Sequence, residues 1–461
     1  MKRLLLISPL APTSLLGKDF FFRLPCLSLL KVAAATPSGW EVKIIDEKVE
    51  PLPAGIEADL VGITAMTCTA NRAYALADSF RQRGLPVVLG GMHPSSLPDE
   101  ALAHADSVVV GEAEGLWPQL IADFEAGALQ RTYRHAERLP TLAGLPPADW
   151  SLYADKRYLP VHFVETTRGC PLDCEFCAVT NFFGGRYRNR PVDEVLDELD
   201  RLHPFDGRFI LKNVVFFVDD NILSNRAYTR DFLTRIQGRG LRWLGHASVS
   251  LADDPEILRL CQASGCMGVL IGFETLSAET MRGIGNKSRL RMEYTDAIQK
   301  IHDHGIGVDG SFVFGFDTDD EGVFDRTLDF VLKTKMEVPY FSILTPYPGT
   351  RLYERMEAEG RLLSRDWSLY DTSHVVYRPT RLSPEQLQAG YDRVFREAYS
   401  VGSLFRRLWG TTSYKNFFLP MNLGFRSAVR KMTRAHHSGN GVPAPMNGSA
   451  RAGDPRRSEV R

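Results

Sequence analysis

Three cysteines within eight residues, Cys170-Pro-Leu-Asp-Cys174-Glu-Phe-Cys177, are the part of this sequence best suited to chemistry. Thiolates at that spacing on one short loop can hold three corners of an iron–sulfur cubane, leaving one iron without a protein ligand. An open metal position marks a site that works on a substrate rather than one that only braces the fold. Gly169 and Pro171 favour the tight loop that brings three sulfurs together. Two blander readings compete with this one. A structural zinc site needs a fourth ligand, and the nearest histidines are His162, on the preceding strand, and His203, beyond the next helix. Buried cysteines could also fall at this spacing by chance. The other four, Cys26, Cys68, Cys261 and Cys266, are scattered and read as packing or pocket-lining thiols. Seven cysteines in 461 residues, an odd number, argue against a secreted disulfide scaffold.

The elements around the loop say how it is held. It follows a strand candidate, Leu159–Thr166, and five more follow in turn: Val214–Asp219, Arg242–Val249, Gly268–Glu274, Val308–Phe316 and Tyr340–Thr345. A helical pattern follows nearly every one; Val192, Val195, Leu196, Leu199 and Leu202 give the clearest, entered at Pro191 and ended before Pro204. Six β/α units over residues 158–350 predict a barrel, complete or partial, with its chemistry at the C-terminal rim. Residues 1–126 alternate differently. Short strands at Arg3–Ser8, Glu41–Asp46, Leu60–Met66, Pro86–Gly90 and Ser107–Gly111, with an amphipathic helix at Ala70–Arg83, predict a doubly wound, flavodoxin-like α/β domain. Gly62, Thr64, Thr67, Gly90 and Gly91 fall at the carboxyl ends of its strands, where small residues let a large ligand approach the backbone. A Pro-rich linker is expected over 127–157, a helical region over 351–435 and a disordered tail over 436–461.

Composition removes several classes. The chain is 44% apolar and carries a formal charge of −1, so it has material for packed cores and no global basic field for nucleic acid. No run of eighteen apolar residues suggests a transmembrane helix. The Leu4–Ile7 run lacks a small-residue cleavage site and is broken by Pro9 and Pro12, so it reads as a first strand of a cytoplasmic protein. No Walker-A loop, His-Glu-x-x-His or Gly-x-Ser-x-Gly is present. Residues 401–435 contain Arg406, Arg407, Lys415, Arg426, Arg430, Lys431 and Arg434 and no acid, interleaved with aromatics. They read either as a helical subdomain packed on the barrel or as a peripheral membrane-surface patch suited to a hydrophobic substrate.

The cysteine loop after strand one of a six-unit barrel resembles the radical S-adenosylmethionine (SAM) superfamily. The resemblance extends to Phe176, Phe217-Val-Asp-Asp-Asn221, Ser248, Gly272-Phe-Glu274 and Pro346-Tyr-Pro-Gly349, each at a strand end in the right order. It implies a [4Fe–4S] cluster on Cys170, Cys174 and Cys177, with SAM on the open iron and cleaved there to a 5′-deoxyadenosyl radical. Phe176, Asp219, Ser248 and Glu274 are the implied SAM contacts; Phe217-Val-Asp-Asp stands where Gly-Gly-Glu is commoner. The N-terminal motifs Val61-Gly-Ile-Thr-Ala, Gly90-Gly-Met-His-Pro and Ala105-Asp-Ser-Val-Val-Val-Gly111-Glu resemble the cobalamin-binding domain fused ahead of many radical SAM proteins. By that resemblance Gly62, Thr64, Gly90 and Gly91 face cobalamin. The Asp-x-His-x-x-Gly motif that ligates cobalt from below is absent, leaving His93 as a lower ligand, a cobalamin without a protein His ligand, or no cobalamin.

Together these imply a cobalamin-dependent methyltransferase acting on an unactivated carbon of a lipid, tetrapyrrole or natural product, supplied with electrons by a donor such as flavodoxin or ferredoxin. A radical cyclase or rearrangement enzyme is the same-fold alternative. A non-catalytic SAM or cobalamin sensor is the alternative of another class, and the intact cysteine triad argues against it.

Overall fold

The computed structural model describes residues 1–10, 22–137, 139, 141–202, 214–285, 293–411 and 414–436. The expected tail over 436–461 therefore lies, apart from His436, outside the described residues, as do Pro12, Pro140, His203 and Pro204.

Two six-stranded parallel sheets make up most of the strand structure among the described residues. The first contains β1 (Lys2–Ser8), β2 (Trp40–Asp46), β3 (Leu60–Thr64), β4 (Val87–Gly90), β5 (Ser107–Val110) and β6 (Thr132–Arg134), in the order β2-β1-β3-β4-β5-β6. Every pairing in it is parallel. The central strands are near-continuous Leu, Ile and Val because helices cover both faces, as a doubly wound sheet requires. The order reverses between β1 and β3, and that switch point is where such sheets open a crevice. The sixth strand corrects the expectation of a linker from residue 127. Thr132-Tyr-Arg buries only Tyr133, so an edge strand of three residues carries no alternation that could be read beforehand.

The second sheet is the expected open barrel: β7 (His162–Val164), β10 (Val214–Phe217), β11 (Arg242–Ala247), β12 (Cys266–Glu274), β13 (Gly307–Phe314) and β14 (Val338–Ile343), hydrogen-bonded in the order β14-β13-β12-β11-β10-β7. The first strand is shorter than Leu159–Thr166, because the chain leaves it to form a separate hairpin of β8 (Thr167–Arg168) and β9 (Arg188–Asn189) around the cysteine loop. One face of the sheet packs on the helices, as Phe217 on Phe232 and Phe273 on Phe330 show. The alternate residues, among them Phe163, Phe216, Leu270, Asp309, Val313 and Tyr340, are only half-buried and line the other face.

Three helices come last among the described residues: Pro384–Ala398, Val401–Leu408 and Lys415–Ala435. The first has a full capping box, with Ser383 and Gln386 exchanging hydrogen bonds, and proline at its first position. Arg407, one of the basic series, is fully buried rather than on the surface. Its guanidinium donates to the carbonyls of Met336, Glu337 and Ala398 and to Asn422, which ties these helices to the start of β14. Phe418 seats against Gly268 and Gly307, where any Cβ would meet its ring, so the terminal helix covers the N-terminal ends of the barrel strands. Among the described residues no helix is long and apolar enough to cross a membrane.

Candidate active site

The cysteine loop leaves β8 at Gly169 and ends in the short helix Ala178–Phe183. Cys170, Cys174 and Cys177 form no disulfide and are half-buried. Gly169 has φ of +90°, and a Cβ there would collide with the Arg186 carbonyl, so only glycine fits this stem. Three further ties fix the loop. The Gly169 amide donates to Asp220 Oδ2 at 2.7 Å, the Leu352 amide donates to the Glu175 carbonyl at 3.1 Å, and Arg355 pairs with the Glu175 carboxylate at 3.0 Å. Burial pushes the Cys177 thiol upward, the expected state of a sulfur without a cation beside it. Among the described residues no three His, Cys, Asp or Glu side chains gather as a closed single-ion site. Thiolates on three different corners of a cubane need not share one point, so the residues fit the cluster.

The strand-end residues divide into two groups. Phe176 packs edge-on against Phe316 at 6.0 Å beside the loop. Ser248 directly follows β11 and shares a 2.8 Å hydrogen bond with Ser250. Glu274 ends β12 with φ of +61°, a left-handed conformation costing a non-glycine residue roughly 1–2 kcal/mol. Strain of that kind at a barrel rim turns a side chain to a particular task. Asp219, also expected at the SAM site, is engaged with the chain itself. It is fully buried, and its oxygens accept from the Thr166 and Thr167 amides at 2.7 and 2.9 Å and from the Thr166 hydroxyl. Burial raises its carboxyl to about 7 against those bonds. It fastens the strand before the loop, while Asp220 beside it holds the loop itself.

The N-terminal domain contributes a cavity of about 360 Å³ at the carboxyl ends of β1, β3, β4 and β5. Gly62, Thr64, Gly90 and Gly91 all line it, as do Met66 and Met92. Gly91 has φ of +100°, and a Cβ there would press on Thr64 and the Ala65 backbone. Gly90 is open: a Cβ would meet nothing nearer than 3.9 Å. A glycine cradle of this kind suits the flat face of a large ring, so these residues fit cobalamin. His93, the candidate lower ligand, does not line this cavity. Its fully buried ring lies against Trp367 at 5.1 Å, with Nε2 toward Glu100 at 3.3 Å.

The opposite wall of the cavity comes from the barrel domain: Glu165, Arg168, Phe182, Phe183 and Val218. Arg168, two residues before Cys170, sits in a buried ion network unannounced by the sequence pattern. It pairs with Glu165 at 2.7 Å, Glu112 at 2.8 Å and Glu114 at 2.5 Å, and Arg188 adds a second bond to Glu112 at 2.7 Å. Burial alone would lower the Arg168 guanidinium, but Glu165 and Glu114 more than offset it and raise it well above its ordinary value. Glu112 and Glu114 belong to the loop after β5, so one side chain joins the cysteine loop to the cavity. The signal available was the charge in Glu165-Thr-Thr-Arg168 and Glu112-Ala-Glu114 at strand ends; their pairing needs the third dimension.

Comparison with known proteins agrees with this architecture. The radical SAM superfamily profile matches residues 164–331, a B12 binding domain matches 15–121, and a domain of unknown function (DUF4070) matches 350–418. The bacteriochlorophyllide d C-12(1)-methyltransferase of Chlorobaculum tepidum is 34% identical over 94% of both chains. The C-8(2)-methyltransferase of the same organism is 29% identical over 92% of this chain and 97% of its own. The radical SAM methyltransferase TsrM of Kitasatospora setae, solved with cobalamin and a [4Fe–4S] cluster, has the same fold, with a TM-score of 0.64 at 17% identity over 95% of this chain and all of that one. The class is therefore an α/β radical SAM protein carrying a [4Fe–4S] cluster, SAM and a B12-binding domain. Within it, the chain belongs to the family of the bacteriochlorophyllide C-methyltransferases.

Proposed function

We propose that this protein is a cobalamin-dependent radical SAM C-methyltransferase acting on a large, mostly apolar ring substrate of the tetrapyrrole kind. The observation that carries it is the shared wall: the glycine-lined cavity of one domain is closed by Arg168, Phe182 and Phe183, which flank the cysteine loop of the other. The residues fit a [4Fe–4S] cluster with SAM and a cobalamin, which together supply a 5′-deoxyadenosyl radical to remove a substrate hydrogen and a methyl group to replace it.

Cys170, Cys174 and Cys177 hold the cluster, and Gly169, Asp220 and Glu175 fix the loop that presents them. Phe176, Ser248 and Glu274 bind SAM at the rim. Gly62, Gly90 and Gly91 leave the backbone bare for the corrin, and Thr64 lines the same wall. The half-buried face of the barrel, with Phe163, Phe216, Leu270 and Tyr340, receives the substrate and keeps water from the radical. Asp309 stands on that face between Leu270 and Val338 with one carboxyl oxygen buried and unpartnered. Burial pushes it up to about 7, so it offers a substrate carbonyl or hydroxyl a proton in an otherwise apolar surface. Electrons come from a low-potential donor such as a flavodoxin or ferredoxin, and an apolar substrate suits contact with a membrane surface. The similarity to the bacteriochlorophyllide methyltransferases, over nearly the whole chain, supports the ring substrate.

The test is anaerobic incubation with reductant, cobalamin, SAM bearing a deuterated methyl group, and a bacteriochlorophyllide-type substrate. Labelled methylated product together with 5′-deoxyadenosine is expected. 5′-Deoxyadenosine with an unmethylated, rearranged or cyclised product would overturn the methyl-transfer reading.

A further inference from the structure

Among the described residues only seven large apolar side chains are strongly exposed; four of them lie on the helices Val401–Leu408 and Lys415–Ala435, and a fifth, Trp409, directly follows the first of these. Val401, Phe405 and Trp409 follow one another at four-residue spacing, with exposures of 66, 59 and 67%. The Phe405 and Trp409 ring centres lie 4.7 Å apart with the planes tilted by 32°. On the terminal helix Leu419 and Leu423 repeat the spacing at 48 and 52%. Neighbouring faces of both helices are buried normally, as Leu404, Phe418 and Phe425 show, so this is a second apolar surface and not a loose fit to the barrel.

Charge adjoins it. Continuing along the terminal helix, the exposed positions become Arg430, Lys431 and Arg434. A groove of about 810 Å³ runs between this helix and Pro384–Ala398, lined by Arg396, Arg426, Arg430 and Arg434. Val401 lines the same groove, which joins the apolar row to the arginines. Arg426 donates to the Tyr399 carbonyl at 2.7 Å, whereas Arg396, Arg430 and Arg434 have no acidic partner among the described residues. Unpaired arginines around a row of exposed aromatics are poorly matched to water and well matched to a surface that is anionic outside and apolar beneath.

We propose that this face docks the protein on an anionic lipid bilayer, with the arginine groove taking lipid phosphates and Phe405, Trp409, Leu419 and Leu423 entering the acyl boundary. This deepens the proposed function by naming a surface partner, and its test reads binding rather than turnover. Orientation favours a membrane over an acidic electron donor. The apolar half lies beside the N-terminal ends of the barrel strands, because Phe418 contacts Gly268 and Gly307 and Arg407 binds the carbonyls just before β14. The cysteine loop is at the other end. A reductant seated on this face would be a strand length from the cluster, about 20 Å or more, whereas a membrane there leaves the rim free.

The experiment is flotation of the full-length, cofactor-loaded protein with vesicles of phosphatidylcholine, with and without about one third phosphatidylglycerol. Binding to the anionic vesicles alone is expected, with a blue shift of Trp409 emission that Trp409→Phe removes. Raising salt to about 0.5 M should release the protein. The double variant Arg430→Glu/Arg434→Glu should lower partitioning more than about tenfold, and Phe405→Ser/Trp409→Ser should do the same. Iron content, cobalt content and melting temperature should not change in either variant. Equal binding to neutral vesicles, no binding, or full binding by the arginine variant would overturn the proposal. Self-association in solution that Phe405→Ser/Trp409→Ser abolishes would also overturn it, assigning the face to a second copy of the chain.

Discussion

The cysteine loop and the glycine-lined cavity meet at Arg168, yet they are built by opposite means. The loop is held by what its residues contribute: Asp220 on the Gly169 amide, Glu175 between Arg355 and the Leu352 amide, and the carboxylates around Arg168. The cavity is held open by what its residues lack, since Gly62, Gly90 and Gly91 place no side chain at the strand ends. A loop that must fix three sulfurs needs many directional bonds. A surface that must accept a broad ring needs bare backbone on a rigid sheet. Substitutions should therefore fail differently at the two places.

The largest effect is expected at Gly169. Gly169→Ala places a methyl group against the Arg186 carbonyl at a left-handed position, so the loop cannot keep its path. Iron should be lost almost completely while cobalt is retained, read by elemental analysis of the reconstituted protein. Retention of both would show that the loop is less constrained than its bonds imply.

Arg168→Met attacks the junction. It leaves Glu165, Glu112 and Glu114 buried with fewer counter-charges, which costs about 3–5 kcal/mol when a buried pair is broken. Chemical denaturation should show that loss, and both metals should fall together because the network serves both sites. Loss of iron alone would place the network with the loop only.

Asp309 separates the barrel face from both. Its carboxyl is raised by burial, with no partner to offset it, to about 7. The folded protein therefore holds a proton that the unfolded chain releases near pH 4, and stability from this group falls as pH rises from about 4 to about 7. Asp309→Asn should remove that slope, raising stability by about 2–4 kcal/mol at pH 8 and changing little at pH 4. Melting curves at the two pH values read it. A variant less stable at pH 8 would mean that the carboxylate is charged and paired.

Gly90→Leu should have the smallest effect on the fold, because its Cβ enters open space. Filling the cavity should weaken cobalamin retention about tenfold, equal to about 1.4 kcal/mol, with iron and melting temperature unchanged. Unaltered cobalt content would move the ligand away from this wall.

What could be read beforehand follows the same division. The strands of both sheets were legible because their Val, Ile and Leu runs are bounded by Gly, Pro and Asp, and the cysteine spacing is a local pattern. The cavity glycines were legible because strand-end position alone defines them. Features depending on contact across the chain were not. Thr132–Arg134 has too few residues to show a period, and basic Arg407 gives no sign of burial against Met336 and Glu337. Asp219 and Asp220 are adjacent acids, and only their placement shows that one binds the Thr166 and Thr167 amides and the other Gly169. His93 follows two cavity glycines in sequence but turns its ring into the core against Trp367.

The central claim is that one chain holds both cofactors across the wall formed by Arg168, Phe182 and Phe183. It is tested most directly by iron and cobalt analysis of the anaerobically reconstituted protein supplied with cobalamin, alongside its Cys174→Ala variant. About four irons and about one cobalt per chain are expected for the native sequence, with iron lost and cobalt kept in the variant. A folded native protein that binds no iron, or that binds iron but no cobalt, would contradict it.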